Sequence, residues 1–181
     1  MSASTRRRGE QAGFTLVETV IALVVLSVGV LSLAAMLATG LVYMNGSQKA
    51  FIAHQKAAEA VESIYTARDI QQASWVNINN TGTGGIFLSG PQPLCDPGPD
   101  GIVGTADDNC NIPDYILTPG PDGILGTADD VKVPLSGFTR QITIADVPGR
   151  AGLRSITIIV TFTTGAFTRT YTLQTNISEY S

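Results

Sequence analysis

Gly13-Phe14-Thr15-Leu16-Val17-Glu18, followed by an almost wholly apolar run to Tyr43, is the stretch on which the reading of this chain turns. Residues 19–43 carry no charged side chain, and Ser27, Ser32 and Thr39 are small hydroxyls able to bond back to a helical carbonyl. The run is long enough to cross a bilayer as a helix. Its thirteen Leu, Ile and Val side chains over residues 20–42 each favour insertion by about 0.3–0.6 kcal/mol, against about 2.5–3.5 kcal/mol for one acid at a helix centre. Insertion wins, and Glu18 is left as a charge in need of a partner. Arg6, Arg7 and Arg8 precede the run and assign that end to the cytoplasm, so the chain after residue 43 is expected on the far side.

These residues resemble the amino-terminal segment of type IV pilins and of the pseudopilins of type II secretion. In that family a short basic leader ends in Gly, Phe follows, the fifth residue of the mature chain is Glu, and an apolar helix comes next; Gly13, Phe14 and Glu18 hold those places here. The resemblance implies cleavage after Gly13 by a prepilin peptidase, N-methylation at Phe14, and assembly with other pilin subunits from the inner membrane into a filament. Glu18 is then expected to meet the Phe14 amine of a neighbouring subunit, two opposite charges attracting in an apolar setting. The continuation over residues 21–31 is most similar to minor pilins of the V type. Gly29, Ala34, Ala35 and Ala38 suit close helix packing. A conventional signal peptide ending near Ala38-Thr39-Gly40 is the alternative, but it leaves unexplained both the length of the run and the acid at its start.

Working outward, residues 1–13 form a hydrophilic leader to be set aside from the fold, residues 14–43 the membrane and assembly helix, and residues 44–70 an amphipathic continuation. In that continuation Ala50, Phe51, Ala57, Ala58, Val61, Ile64 and Tyr65 recur at three- and four-residue intervals, while Asn45-Gly46 is a place for the helix to bend. Residues 71–181 are expected to form a globular β domain. Residues 71–90 read as a linking loop with a short strand at Ile86-Phe87-Leu88, and alternating strands follow from Phe138, from Leu153 and from Phe167. Thr164-Gly165-Ala166 reads as a hairpin turn, and the Ala57, Val61, Ile64 stripe as the cover for the apolar sheet face. The expected class is α+β, pilin-like: a long N-terminal helix, membrane-spanning in its first half, packed by its second half on an antiparallel sheet.

Pro97-Gly-Pro-Asp-Gly-Ile-Val-Gly-Thr-Ala-Asp-Asp108 returns at residues 119–130 with a single Val103/Leu125 difference. The loop over residues 96–130 holds eight aspartates and no Lys or Arg. Packed carboxylates repel, and a hard divalent cation is the usual remedy, so one Ca²⁺ is expected per repeat, held by Asp100, Asp107 and Asp108 and by Asp122, Asp129 and Asp130. The spacing departs from an EF-hand, with Ile112 where the glycine belongs and Thr118 where the closing Glu belongs. The competing reading is a solvated turn built from turn formers. Cys95 and Cys110 bracket the first repeat in an oxidising compartment, where a disulfide is expected to contribute about 3 kcal/mol in the chain-entropy model.

The formal net charge of −4 becomes −6 once a leader with three Arg and one Glu is removed, and no basic patch points to nucleic acid. His54 falls on the polar side of the helix without a nucleophile near it in sequence, and Gly82-Thr83-Gly84-Gly85 precedes no helix, so no enzyme is expected. The expectation is a non-enzymatic minor pilin of a type IV pilus or its priming complex. The alternatives are a type II secretion pseudopilin and, from another class, a membrane-anchored calcium-dependent binding module or adhesin.

Overall fold

The structure is a computed structural model and describes residues 13–180; of the expected leader, only Gly13 falls among them. Helix α1 (Leu16–Asp69) is followed by a single 3-10 turn (Thr81–Thr83) and eight strands: β1 (Gln92–Pro93), β2 (Cys95–Asp96), β3 (Asn109–Pro113), β4 (Tyr115–Thr118), β5 (Val131–Pro134), β6 (Phe138–Asp146), β7 (Leu153–Thr164) and β8 (Phe167–Ser178). This is the expected α+β class, a long helix packed on an antiparallel sheet. By contacts the chain divides into two units, Met1–Tyr43 and Met44–Ser181.

In the first unit every large apolar side chain of residues 16–43 is exposed. The helix forms there because its polar residues are absorbed internally: the hydroxyls of Thr19, Ser27, Ser32 and Thr39 each donate to a carbonyl three or four residues back, at 2.8 Å. Among the described residues, α1 is the one helix long and apolar enough to cross a membrane.

In the second unit the sheet runs β1-β6-β7-β8, all antiparallel. Along β7, Ile156, Ile158, Val160 and Phe162 point to one side and are buried, as their alternation with threonine and serine predicts. They meet Ile52, Ala53, Ala57, Ala60, Ile64 and Ala67 of α1. The expected stripe of Ala57, Val61 and Ile64 lies on this face with Ala50 and Tyr65 packed beside it, but Phe51 and Ala58, expected there too, are exposed. The three-and-four spacing of apolar residues fitted two faces, and the one carrying Ile52, Ala53, Ala57, Ala60, Ile64 and Ala67 is the one packed in the core. Gly46 is buried as well. The helix assignment runs unbroken through it, and a Cβ there would stand 3.3 Å from Thr164 Cγ2.

Segment 71–90 is core rather than linker. Ile78 and Phe87 are fully buried, and Ile86-Phe87-Leu88 forms no strand, only one parallel bridge between Asn80 and Phe87. Pro91 and Pro93 lack amide hydrogens, so β1 stops after two residues and leaves part of the β6 edge unpaired. Asn80 takes its place: its amide donates to the Ile142 carbonyl at 2.9 Å, and its side-chain oxygen accepts from the Ile144 N–H at 2.8 Å. Arg154 on β7 holds the same segment by stacking on Trp75, donating to the Trp75 and Ile78 carbonyls, and pairing with Asp146 at 2.9 Å.

Asn80→Ala leaves a buried carbonyl and a buried N–H without partners, so it is expected to lower unfolding stability by about 1–3 kcal/mol. Asn80→Asp, which keeps the acceptor and loses the donor, should fall in between. Denaturant midpoints of the detergent-solubilised chain read both.

Candidate functional site

The amino-terminal part of the site is built by a cap. Thr15 precedes the helix, and its hydroxyl accepts from the Glu18 N–H at 3.3 Å. Thr15 and Glu18 are thus spaced as Ncap and N3, and the Glu18 carboxylate lies at the positive end of the helix dipole. Phe14 and Glu18 are both exposed in the single chain. The Thr-x-x-Glu spacing was readable from the sequence as a capping signal, beside its reading as a motif.

The second part is the pair of repeats. Each is closed at its base, the first by the Cys95–Cys110 disulfide, the second by pairing of Thr118 with Val131 at the end of the β4–β5 hairpin. The interval expected as one loop therefore contains strands, because Ile112, Ile116, Val131 and Val133 supply short extended segments between the turn formers. Within each repeat the same bonds recur. Asp100 Oδ1 accepts from the Ile102 N–H and Asp122 Oδ1 from the Ile124 N–H, both at 2.8 Å. Asp108 Oδ2 accepts from the Gly104 N–H and Asp130 Oδ2 from the Gly126 N–H, both at 2.7 Å. Asp107 accepts from the Thr105 hydroxyl at 2.7 Å, and Asp129 from the Thr127 hydroxyl at 2.6 Å. Gly98 and Gly120 are needed because any Cβ would collide with Asp107 and Asp129 respectively.

All six expected metal ligands are thus engaged by donors of their own turns, and among the described residues no three His, Cys, Asp or Glu side chains converge as a metal site would require. Calcium binding by these loops is a proposal that asks the carboxylates to release those bonds. Titrating the full chain with Ca²⁺ tests it: heat and a higher melting temperature at millimolar calcium would support it, and neither would discard it.

Around the first repeat lies a charge cluster of Lys56 and Glu59 from α1 with Asp108, Asp114 and Arg140. Lys56 sits between Ala53 and Ala60 on the buried face and pairs with Asp114 and with Glu59, both at 2.7 Å. Burial alone would lower the Lys56 pKa, but the hydrogen bonds to Asp114 and Glu59 outweigh it and hold the amine above its ordinary value. Arg140 on β6 is 4% exposed, and its Nη1 has no hydrogen-bond partner. Burial holds it below its ordinary pKa, opposed by the charges of Glu59, Asp108 and Asp114. Burial likewise pushes Asp108 up, against the Gly104 and Thr105 hydrogen bonds and the field of Arg140.

Residues 8–42 match the family described as the prokaryotic N-terminal methylation motif. No curated protein and no solved structure matches the chain. The matched stretch contains Gly13, Phe14 and Glu18 and the first part of α1.

Lys56→Met strands a largely buried Asp114 and should cost about 2–3 kcal/mol near neutral pH. Because the folded pKa of Lys56 lies above its unfolded 10.5, this contribution is complete below that value and is lost as pH rises through the folded one. The stability gap between wild type and Lys56→Met should therefore be constant from pH 7 to about 10 and close above it, read from melting curves across that range.

Proposed function

We propose that the chain is a non-enzymatic minor pilin, made as a precursor, cut after Gly13 by a prepilin peptidase, methylated at the freed Phe14 amine, and assembled with other pilins through residues 14–43. The carrying observation is one of coincidence. The methylation-motif match at residues 8–42 falls on the part of α1, residues 16–43, whose large apolar side chains are all exposed and whose one acid, Glu18, stands in the first turn. A bilayer followed by a bundle of sibling helices would cover that surface, which water does not tolerate.

Cleavage would create a positive amine four residues from Glu18. In an assembled bundle the carboxylate of one subunit and the amine of the next would attract by about 4 kcal/mol at about 4 Å and an effective dielectric of about 20. Removing two charges from water opposes that gain, so the pair would act mainly to set the axial register of subunits. In this reading the domain carrying the disulfide and the aspartate repeats lies on the periplasmic side first and on the filament afterwards. A type IV pilus or its priming complex is the assembly proposed, and a deletion scored for twitching against protein secretion separates it from a type II secretion pseudopilus.

The mature protein isolated from its host should begin at Phe14, with the mass of a methylated amine. Glu18→Gln should still be processed yet be at least about tenfold depleted from sheared filaments relative to membranes, the loss expected from roughly 1.4 kcal/mol or more. A mature chain retaining Arg6-Arg7-Arg8, or normal incorporation of Glu18→Gln, would end this reading.

A further inference from the structure

The β7–β8 hairpin lies alongside α1, and its contacts fix which way its tip points. Arg68 Nη1 donates to the Ser178 carbonyl at 2.8 Å, and the Tyr65 hydroxyl donates to the Asn176 carbonyl. The His54 and Tyr171 rings meet edge to face with centroids 5.3 Å apart, and the Lys49 amine donates to the Thr163 carbonyl at 2.7 Å. At Gly46 a Cβ would stand 3.3 Å from Thr164 Cγ2. Hairpin and helix thus run side by side, and the turn at Gly165-Ala166 lies beside the residues through which α1 enters this unit at Met44, directly after the apolar run. The β6–β7 turn stands at the other end of the twelve-residue β7, about 40 Å away. Charge sets the two ends apart. Of the chain's 15 acids none lies in residues 44–55 or 155–178, whereas Lys49 and Arg169 do. Phe167 at the turn is 70% exposed, and Gly165, Ala166, Thr168 and Arg169 around it are exposed too.

We propose that the β7–β8 turn docks on the lipid surface: Phe167 enters the headgroup layer of the leaflet from which α1 emerges, and Lys49 and Arg169 face the phosphates of anionic lipids there. The inference rests on the reading of residues 14–43 as a membrane helix and adds a second attachment outside the hydrocarbon. Continuity with that helix selects the occupant. Gly46, against which Thr164 packs, is only three residues beyond Tyr43, and the headgroup layer is about 5–8 Å deep on each side of the hydrocarbon. Contacts inside the second unit alone bring the turn to this level. Charge complementarity selects it again. Each basic side chain near an anionic surface favours the contact about fivefold, and an acid there would be repelled, so an acid-free end on an otherwise acidic unit suits a phosphate layer. An aromatic ring at headgroup depth is the usual anchor of such an end. Because Lys49 ties the Thr163 carbonyl to α1, turn and helix meet the surface as one piece.

The test reconstitutes the full chain in phosphatidylcholine vesicles with and without phosphatidylglycerol. A diazirine-bearing residue stands at Ala166 or, as control, at Ala151 in the β6–β7 turn, both exposed alanines. The expected product is a lipid adduct from position 166 and none from 151. It should fall about fivefold when phosphatidylglycerol is omitted and about fivefold in Arg169→Gln. Phe167→Ser should lower it as well while leaving the melting temperature unchanged. No lipid adduct from position 166, equal adducts from both positions, or indifference to either phosphatidylglycerol or Arg169→Gln would each overturn the proposal. So would an adduct with another polypeptide in place of lipid, since a sibling subunit would then be what covers the turn. Alkaline extraction of the same vesicles reports separately on the helix: a chain released from them defeats the membrane-helix reading, whereas a retained chain without the lipid adduct defeats only the docking of the turn.

Discussion

The globular unit depends on the packing of the small side chains of α1 against the large ones of β7. Ala53, Ala57, Ala60 and Ala67 offer only methyl groups and are at most 1% exposed, so the ridge they form is low and the large β7 side chains fill the space above it. A helix of larger residues would push the sheet away and open voids around Ile156, Ile158 and Val160. Gly46 extends the low ridge to the turn between β7 and β8, where even a methyl would press on Thr164. Because the helix contributes little volume, the core is completed from the far side by Ile78 and Phe87, which makes segment 71–90 structural.

That segment and the first repeat are fixed by polar groups as well as by apolar burial. Asn80 takes over strand pairing where proline ends β1, Arg154 gathers carbonyls of residues 75 and 78, and Lys56 reaches Asp114 between the two repeats. Each contact is directional and has one satisfactory geometry, whereas apolar packing alone would tolerate several. Lys56 can serve on a buried face because its methylene stem lies along the alanines while its amine meets two carboxylates. Arg140 is the exception within this network, a buried cation answered by charges nearby but with Nη1 unbonded.

Much of this was legible in the sequence. The uncharged run of residues 19–43 announced its helix by length and composition, and the alternation in β6 and β7 announced the sheet, because burial on one side only sets it. The edges of the helix face were not legible: the spacing put the exposed Phe51 on it, and only the partner Asp114, far along the chain, brings Lys56 there. Asn80 was hidden for the same reason: its role exists only because β1 is too short, a tertiary circumstance. The aspartate repeats were read as a place where carboxylates crowd, and the six expected to hold an ion each accept a hydrogen bond from a donor of their own turn. Asx-type turns of this kind use the same Asp and Gly residues that a metal loop would, so composition alone does not separate them.

The duplication separates local from tertiary causes. The bonds shared by the two repeats, one packed against the core and one in solvent, mean that Asp, Thr and Gly suffice to fold the loop and that burial is not required. The apolar pair then has no part in shaping it, since Ile102 and Ile124 each lend the turn only a backbone N–H and a carbonyl. In the first repeat that pair is accounted for by the core. In the second, two adjacent large side chains more than half exposed at the tip of a hairpin contribute nothing to the loop and detract from solubility. A polar pair would have folded equally well there, so the loop's own hydrogen bonds place no demand on the side chains of Ile124 and Leu125.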